Sequence, residues 1–432
     1  MPDRDEVPAV SLLAVLRSAE WRRYFLTHSL ILLAALVAFR AVAALGHRAG
    51  LSLGSWEQAA SDPQLYFDWS SAVFAGRVPY REFDVPYPPL AFLLFLLPRA
   101  FAWSLKPYLV AYGLQMLLLN GLVLALILRE RSSKQSMRWY LAMIAPQALM
   151  VIWRMDVAVA LVCFWGCTEW IRGRERAGAL LLGLGAMLKL LPAAVFGALE
   201  LASLRSRRAA TIRAAAIFAA VCVTIGAAWL AIGGMRWLPA AKYTERNFEF
   251  GSTYAGLLLL WAKISGSAAM VAPENSCSCM EVAGSGAAAA VFKTGALVLP
   301  AAAFLAFGIL ALVRKRVDPF RWCAAALVIF MISAKALSPQ YLIWPVPFFC
   351  VLSGVGADRV RSVYLAACVL TAMIFPPGYH YLVAQNLLLV LLLNLRNALL
   401  VVCTIQLFQV AARSTSRAYG SVKKRGDTAA AR

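Results

Sequence analysis

The sequence predicts an all-α protein that crosses a membrane many times, through about 11–13 transmembrane helices of roughly 20 residues or fewer each. Three observations predict it. The chain is 62% hydrophobic and only 15% charged, where a soluble domain carries roughly 45–50% and about 25%. Apolar runs long enough to cross hydrocarbon recur from end to end. The net charge of +21 is spread over short loops and both ends, a pattern that orients helices in a bilayer rather than one that binds nucleic acid.

Segment 1–23 ends in Arg17, Arg22 and Arg23, which places the N-terminus in the cytoplasm. The apolar run after it starts too late, and is too long, for a cleavable signal. A transmembrane unit then covers 24–412. Its first span, about 24–45, opens into a long first external loop, 47–106. There Asp62 is placed to cap a helix with Pro63 at its first position. Tyr87-Pro88-Pro89-Leu90 leads an apolar run broken by Pro98 and Arg99, expected to lie on or dip into the membrane surface. Span 107–128 returns to Arg129, Arg131, Lys134 and Arg138.

The run 139–170 has basic clusters at both ends, so it must double back. Its natural turning point is Trp153-Arg154-Met155-Asp156, on the outside. The run 177–204 doubles back in the same way at Lys189 and Pro192. Span 214–232 leads to a second external loop, 233–286, and 287–313 returns to Arg314, Lys315 and Arg316. The runs 322–332, 341–352 and 363–375 follow. The stretch 382–410 is long for one span and carries Arg396-Asn397 in its middle, so one long helix and two short ones both fit. Residues 413–432, basic and rich in Ser, Gly and Ala, read as a disordered cytoplasmic tail.

Charges inside apolar runs are costly, and they mark function by default. Asp62 is a candidate general base at the water–membrane boundary, with Asp68, on another face of the same helix, as competitor. Arg154, Lys189, Arg246 and Lys335 are cations on the side opposite the basic loops; Asp156 sits two residues after Arg154. The string Lys335-Ala336-Leu337-Ser338-Pro339-Gln340-Tyr341 makes a fixed turn that bears a cation and an amide. Jointly these residues suggest a pocket for a phosphorylated ligand, since Lys and Arg hold phosphate by charge and by forked hydrogen bonds. Glu82 and Asp84 form an isolated acid pair with no nucleotide-binding pattern around it. Seven of the nine cysteines lie in apolar runs, where cysteine behaves as a small hydrophobe; Cys277 and Cys279 stand in a polar loop where oxidation is open. The three histidines are too scattered for a His-based metal site.

These strings resemble glycosyltransferase family 87, polyprenyl-phosphate-dependent enzymes of the GT-C fold that include phosphatidylinositol-mannoside mannosyltransferases. The likeness runs from Asp62 with Tyr66, through Tyr87-Pro88-Pro89-Leu90, Arg154-Met155-Asp156, Lys189 with Pro192 and Arg246 with Ser252, to Lys335–Tyr341 ahead of Trp344. It implies an inverting hexosyltransferase of the plasma membrane, with an extracytoplasmic site and no metal or other cofactor. The donor would be a polyprenyl-phosphate sugar, most often mannose; the acceptor would be a membrane glycolipid or cell-envelope glycan. Asp62 matches the family's acid in the first external loop. Tyr66, Tyr87, Arg154, Asp156, Lys189, Arg246, Lys335, Gln340 and Tyr341 are expected around the donor's phosphate and sugar. A lipid-linked oligosaccharide polymerase or ligase, or a lipid or sugar transporter, is the alternative. A transporter would more often show internal repeats and charges at the bilayer midplane.

Overall fold

The computed structural model describes residues 11–51, 53, 61–131, 133–203, 208–234, 247–267, 269–274, 279–284, 286–313 and 318–429. Arg246 and Cys277 lie outside the described residues, as do the basic residues at 205, 207 and 314–316.

The protein is an all-α polytopic membrane protein. A short helix, α1 (Leu12–Arg17), precedes α2 (Ala19–Arg48), which Ser18 caps by accepting the Trp21 amide at 3.1 Å. Next come α3 (Ser61–Phe74), α4 (Ala91–Phe101) and α5 (Leu105–Glu130). The run expected to double back forms α6 (Lys134–Ile144), a 3-10 turn (Ala145–Gln147), α7 (Ala148–Trp153) and α8 (Asp156–Ile171), with a 115° bend between α7 and α8. The break falls where Arg154 and Asp156 put two charges into an apolar run. The next pair, α9 (Glu175–Ala186) and α10 (Pro192–Ser203), breaks at Lys189 in the same way, ahead of a proline that cannot continue the first helix.

After α11 (Arg208–Gly233), the expected second loop holds a small antiparallel sheet. Strands β1 (Phe248–Glu249) and β2 (Ala269–Glu274) flank β3 (Cys279–Gly284), with Phe248 and Val271 both opposite Val282. Helix α12 (Thr253–Ser265) packs on it, capped by Ser252 and ended by Gly266 at φ +69°, a left-handed turn that glycine adopts without strain. The chain closes with α13 (Gly286–Val313), α14 (Pro319–Ser333), a 3-10 turn (Pro339–Ile343), α15 (Val346–Val351), α16 (Ala357–Ile374), α17 (Tyr379–Val383) and α18 (Leu387–Ala429). The last apolar stretch is therefore one helix. Its backbone continues to Ala429, through the segment whose composition reads as disordered, because extending an established helix needs no new nucleus.

Among the described residues five helices are long and apolar enough to cross a membrane, or six if the bent pair is one span. The expected 11–13 counted as spans each arm of a doubled-back run and the short runs 322–332, 341–352 and 363–375. The arms are shorter than that: α9 and α10 have 12 residues each, about 18 Å at 1.5 Å per residue, against ~30 Å of hydrocarbon. Helix α5 lies at the centre, 61% of its apolar window buried, whereas α2 and α11, at 11% and 6%, are peripheral.

Two charged layers are separated by the length of α8. Asp156 begins it, and Glu169 stands thirteen residues on, about 20 Å away. At that far end Arg129 bonds Glu169 (3.0 Å) and Thr168 (2.7 Å), Arg172 bonds Glu130 (3.0 Å), and Arg174 also reaches Glu169. Arg131, Arg321 and Arg361 donate to the backbone carbonyls of Leu352, Ser353 and Phe349 at 2.6, 3.0 and 2.9 Å. All of these arginines but Arg321 belong to the basic clusters that charge counting assigned to the cytoplasmic side.

Helices α8 and α9 meet through glycines. A Cβ on Gly178 would stand 2.8 Å from the Gly166 carbonyl oxygen and 3.2 Å from the Trp170 amide nitrogen, both backbone atoms that cannot swing aside. Close approach of this kind holds helices together in lipid, where hydrophobicity gives no preference for helix over acyl chain. A Gly178→Leu protein is accordingly expected to give little folded material, with a thermal midpoint in detergent several degrees below wild type, a shift of about the size that 1–3 kcal/mol of overpacking produces. Fluorescence-detected size exclusion after graded heating measures it.

Candidate functional site

Four breaks or turns in the helical pattern converge on one cluster. Asp62 lies in the first turn of α3, and Tyr66, one turn on, projects from the same face. Arg154 is in extended backbone between α7 and α8, and Asp156 is the first residue of α8. Lys189 occupies the break between α9 and α10. Tyr341 and Trp344 stand three residues apart in and just after the 3-10 turn, on one face of it.

The charges meet as two acid–base pairs. Asp156 Oδ1 accepts from Lys189 Nζ at 2.8 Å and from Trp344 Nε1 at 2.7 Å. Arg154 Nη1 lies 3.0 Å from Asp62 Oδ1, close enough for an ion pair but off the line of the N–H. Arg154 Nε and Nη1 thus make no directed hydrogen bond among the described residues, although the side chain is only 5% exposed. A buried guanidinium with spare donors can take another oxyanion without breaking a hydrogen bond.

Aromatic rings wall the cluster. Lys189 Nζ sits 4.5 Å from the ring centre of Tyr341, 4.8 Å from Trp344 and 5.8 Å from Tyr87, and the Tyr341 and Trp344 rings stack at 3.9 Å. A desolvated ammonium gains attraction from such faces. Tyr66 stacks on Phe95 at 4.1 Å, and its hydroxyl lies 3.3 Å from Asp62 Oδ2 and 3.4 Å from the Tyr87 hydroxyl. Tyr87 is itself placed by Tyr80. That residue takes a left-handed φ of +66°, is fully buried, and donates its hydroxyl to the Tyr87 carbonyl at 2.7 Å.

Burial dominates the electrostatics of Asp62 and raises its carboxyl above the ordinary carboxylate range. Arg154, Lys189 and the Tyr66 hydroxyl pull it down, and Asp156 pushes it further up. Burial also drives the phenols of Tyr66 and Tyr87 well above their usual range, so both remain hydrogen-bond donors.

Of the residues singled out from sequence, Asp62, Tyr66, Tyr87, Arg154, Asp156, Lys189 and Tyr341 come together. Asp68 lies on the exposed face of α3, away from them. Gln340 is buried one residue before Tyr341. Lys335 is buried at the start of the same string, its carbonyl accepting the Glu249 amide at 3.0 Å. Arg246 lies outside the described residues. Glu82 is spent on its own loop: its carboxylate accepts the Val78 amide at 2.5 Å. The sequence suggested one or two carboxylates among four cations; the structure pairs Asp62 with Arg154 and Asp156 with Lys189. Trp344, Tyr112 and Phe95 complete the walls without having been chosen. The spacing of Trp344 from Tyr341 was the available signal; Tyr112, 5.5 Å from the Tyr66 ring, gave none, since one tyrosine in an apolar helix is ordinary.

Residues 86–339, more than half of the chain, match glycosyltransferase family 87. The cluster straddles the start of that match, with Asp62 and Tyr66 before it and Tyr87, Arg154, Asp156 and Lys189 within. Neither the curated proteins nor the solved structures gave a match.

Removing one partner of a buried pair leaves the other charge uncompensated. Asp156→Ala is therefore expected to destabilise the protein by about 3–5 kcal/mol, and the double change Asp156→Asn with Lys189→Gln by clearly less. Thermal unfolding of the purified variants in one detergent compares them; equal losses would show that the two charges do not balance each other.

Proposed function

Since the chain belongs to glycosyltransferase family 87, we propose that it transfers a hexose, in the first place mannose, from a polyprenyl-phosphate donor to a hydroxyl of a lipid-linked or cell-envelope glycan. The reaction takes place at the extracytoplasmic face of the plasma membrane, with the N-terminus in the cytoplasm. The observation that carries this reading is the pairing of Asp62 with Arg154: a largely buried carboxylate with a raised proton affinity, 3.0 Å from a guanidinium whose Nε and Nη1 make no directed hydrogen bond among the described residues.

The chemistry follows as a single displacement. Asp62 takes the proton of the acceptor hydroxyl as that oxygen attacks the anomeric carbon. The bond from that carbon to the phosphate oxygen breaks on the opposite face, so the configuration inverts. The departing phosphate is a weak base and needs no proton from the protein, which is why one carboxylate suffices where a glycosidase uses two. Its growing charge is met by Arg154, with Lys189 and Lys335 as the further cations, fixed in a site of low dielectric where they cost no reorganisation. Such an arrangement supplies the charge that a metal ion would otherwise provide, so the transfer proceeds without one. The aromatic faces of Tyr341 and Trp344 bound the space where the sugar lies.

Two measurements test the base. Asp62→Asn, which preserves shape and removes the charge, is expected to lower transfer from radiolabelled polyprenyl-phosphate mannose by about 10²–10⁴-fold with normal membrane insertion; full activity would remove the assignment. The sign of the pH response follows from the raised carboxyl. A base must be unprotonated, so kcat/KM should rise with pH through the raised value of Asp62 and level off above it. The acid limb should therefore lie above about 4, the ordinary carboxylate value. A limb at or below that value, or one that persists in Asp62→Asn, would assign the ionisation to another group.

A further inference from the structure

Glu249 and Arg396 lie outside the cluster, yet both are buried. A carboxylate and a guanidinium inside a membrane bundle call for a reason. Glu249 grips the backbone on both sides of Lys335: its amide donates to the Lys335 carbonyl at 3.0 Å, and its carboxylate accepts the Leu337 amide at 2.8 Å. One residue thereby fixes the entry to, and the exit from, the turn that carries Lys335. The hydrogen bond to the carboxylate is charge-assisted, roughly twice as strong as a neutral one.

The gripping residue is held from behind. Arg396 Nη2 donates to the Gly251 carbonyl at 2.6 Å, Asn397 Nδ2 to Ser252 at 3.4 Å, and Asn394 Nδ2 to Gly256 at 2.9 Å. This accounts for the polar residues in the first three turns or so of α18: they dock the Glu249–Gly256 segment. Tyr254 adds a second tie, donating its hydroxyl to the Ser333 carbonyl at 2.9 Å. Contact is close enough that a Cβ on Gly251 would stand 2.4 Å from the Leu337 carbonyl oxygen.

We infer that Glu249 is a positioning residue for the transfer reaction: braced by Arg396 through Gly251, it holds the Lys335–Leu337 backbone and so sets where the Lys335 cation stands. The inference rests on the reading of Lys335 as a donor-phosphate cation. A flexible lysine on a loose turn would lose its placement, and with it the preorganised charge that the displacement needs.

The test has three arms on the purified full-length protein. Hydrogen–deuterium exchange of the peptide spanning 335–341 should quicken in Glu249→Ala, stay near wild type in Glu249→Gln, whose side-chain carbonyl still accepts the Leu337 amide, and quicken in Gly251→Ala, which displaces the same segment without removing either charge. In transfer assays Glu249→Ala should raise donor KM about tenfold, the effect of a lost charge-assisted hydrogen bond, and leave acceptor KM unchanged. The double variant Glu249→Ala with Lys335→Ala should be no worse than Lys335→Ala alone. Unchanged exchange in both Glu249→Ala and Gly251→Ala overturns the brace. Quickened exchange with wild-type kinetics, or losses that multiply in the double variant, overturns its role in transfer. If Lys335→Ala leaves donor KM untouched, the phosphate assignment of Lys335 fails, while the exchange arm still decides whether Glu249 holds the turn.

Discussion

Charge neutrality in a low dielectric is the constraint on which this structure depends. Asp62, Arg154, Asp156 and Lys189 come from three stretches of chain, and each would be costly alone among apolar helices. Their mutual satisfaction requires α3, the α7–α8 break and the α9–α10 break to meet at one place. The breaks are thus the condition of the site: Arg154 reaches Asp62 from extended backbone between two helices. Desolvation that penalises a lone charge also strengthens the attraction within a pair.

Aromatic residues provide the stiffness that charges lack. Tyr66 on Phe95 and Tyr341 on Trp344 are stacked pairs, and Lys189 is packed among three rings instead of being left to its four-carbon freedom. Tyr80 holds an unfavourable backbone angle in order to seat its ring and tie down Tyr87. Loops that bring polar groups to a membrane surface are ordinarily mobile; here rings fill the space that water would otherwise occupy.

What the sequence made legible follows from which signals are local. Two basic flanks around one apolar run require a reversal, and the charges within the run mark where it occurs, so the breaks at Arg154 and Lys189 were readable. Asp62 before Pro63 announced a helix start, and the six-residue offset of Asp68 put it on another face. Span counting was poorly readable, because an apolar run gives its length but not how deeply each arm dips. Pairing was invisible for a related reason. Asp156 and Trp344 are 188 positions apart, and no local pattern tells a lysine that binds substrate from one already held by an acid. The short sheet at β1–β3 was hidden in a polar segment without clear alternation. Nothing local singled out Glu249, because the residue that braces it, Arg396, belongs to the last helix.

The 16-residue α8 ties these layers together in a further way. A rod of that size is about 24 Å long, several ångströms less than a typical hydrocarbon core, and it is pinned at one end by Asp156 and at the other by the Glu169 network. Its two charged ends are therefore held a fixed distance apart. Neither end can slip without leaving a buried charge unpaired, so one rigid helix sets the spacing between the Asp156 cluster and the Glu169 network. The separation of the two sets of charges is in this sense a structural parameter of the molecule, written in the length of one helix.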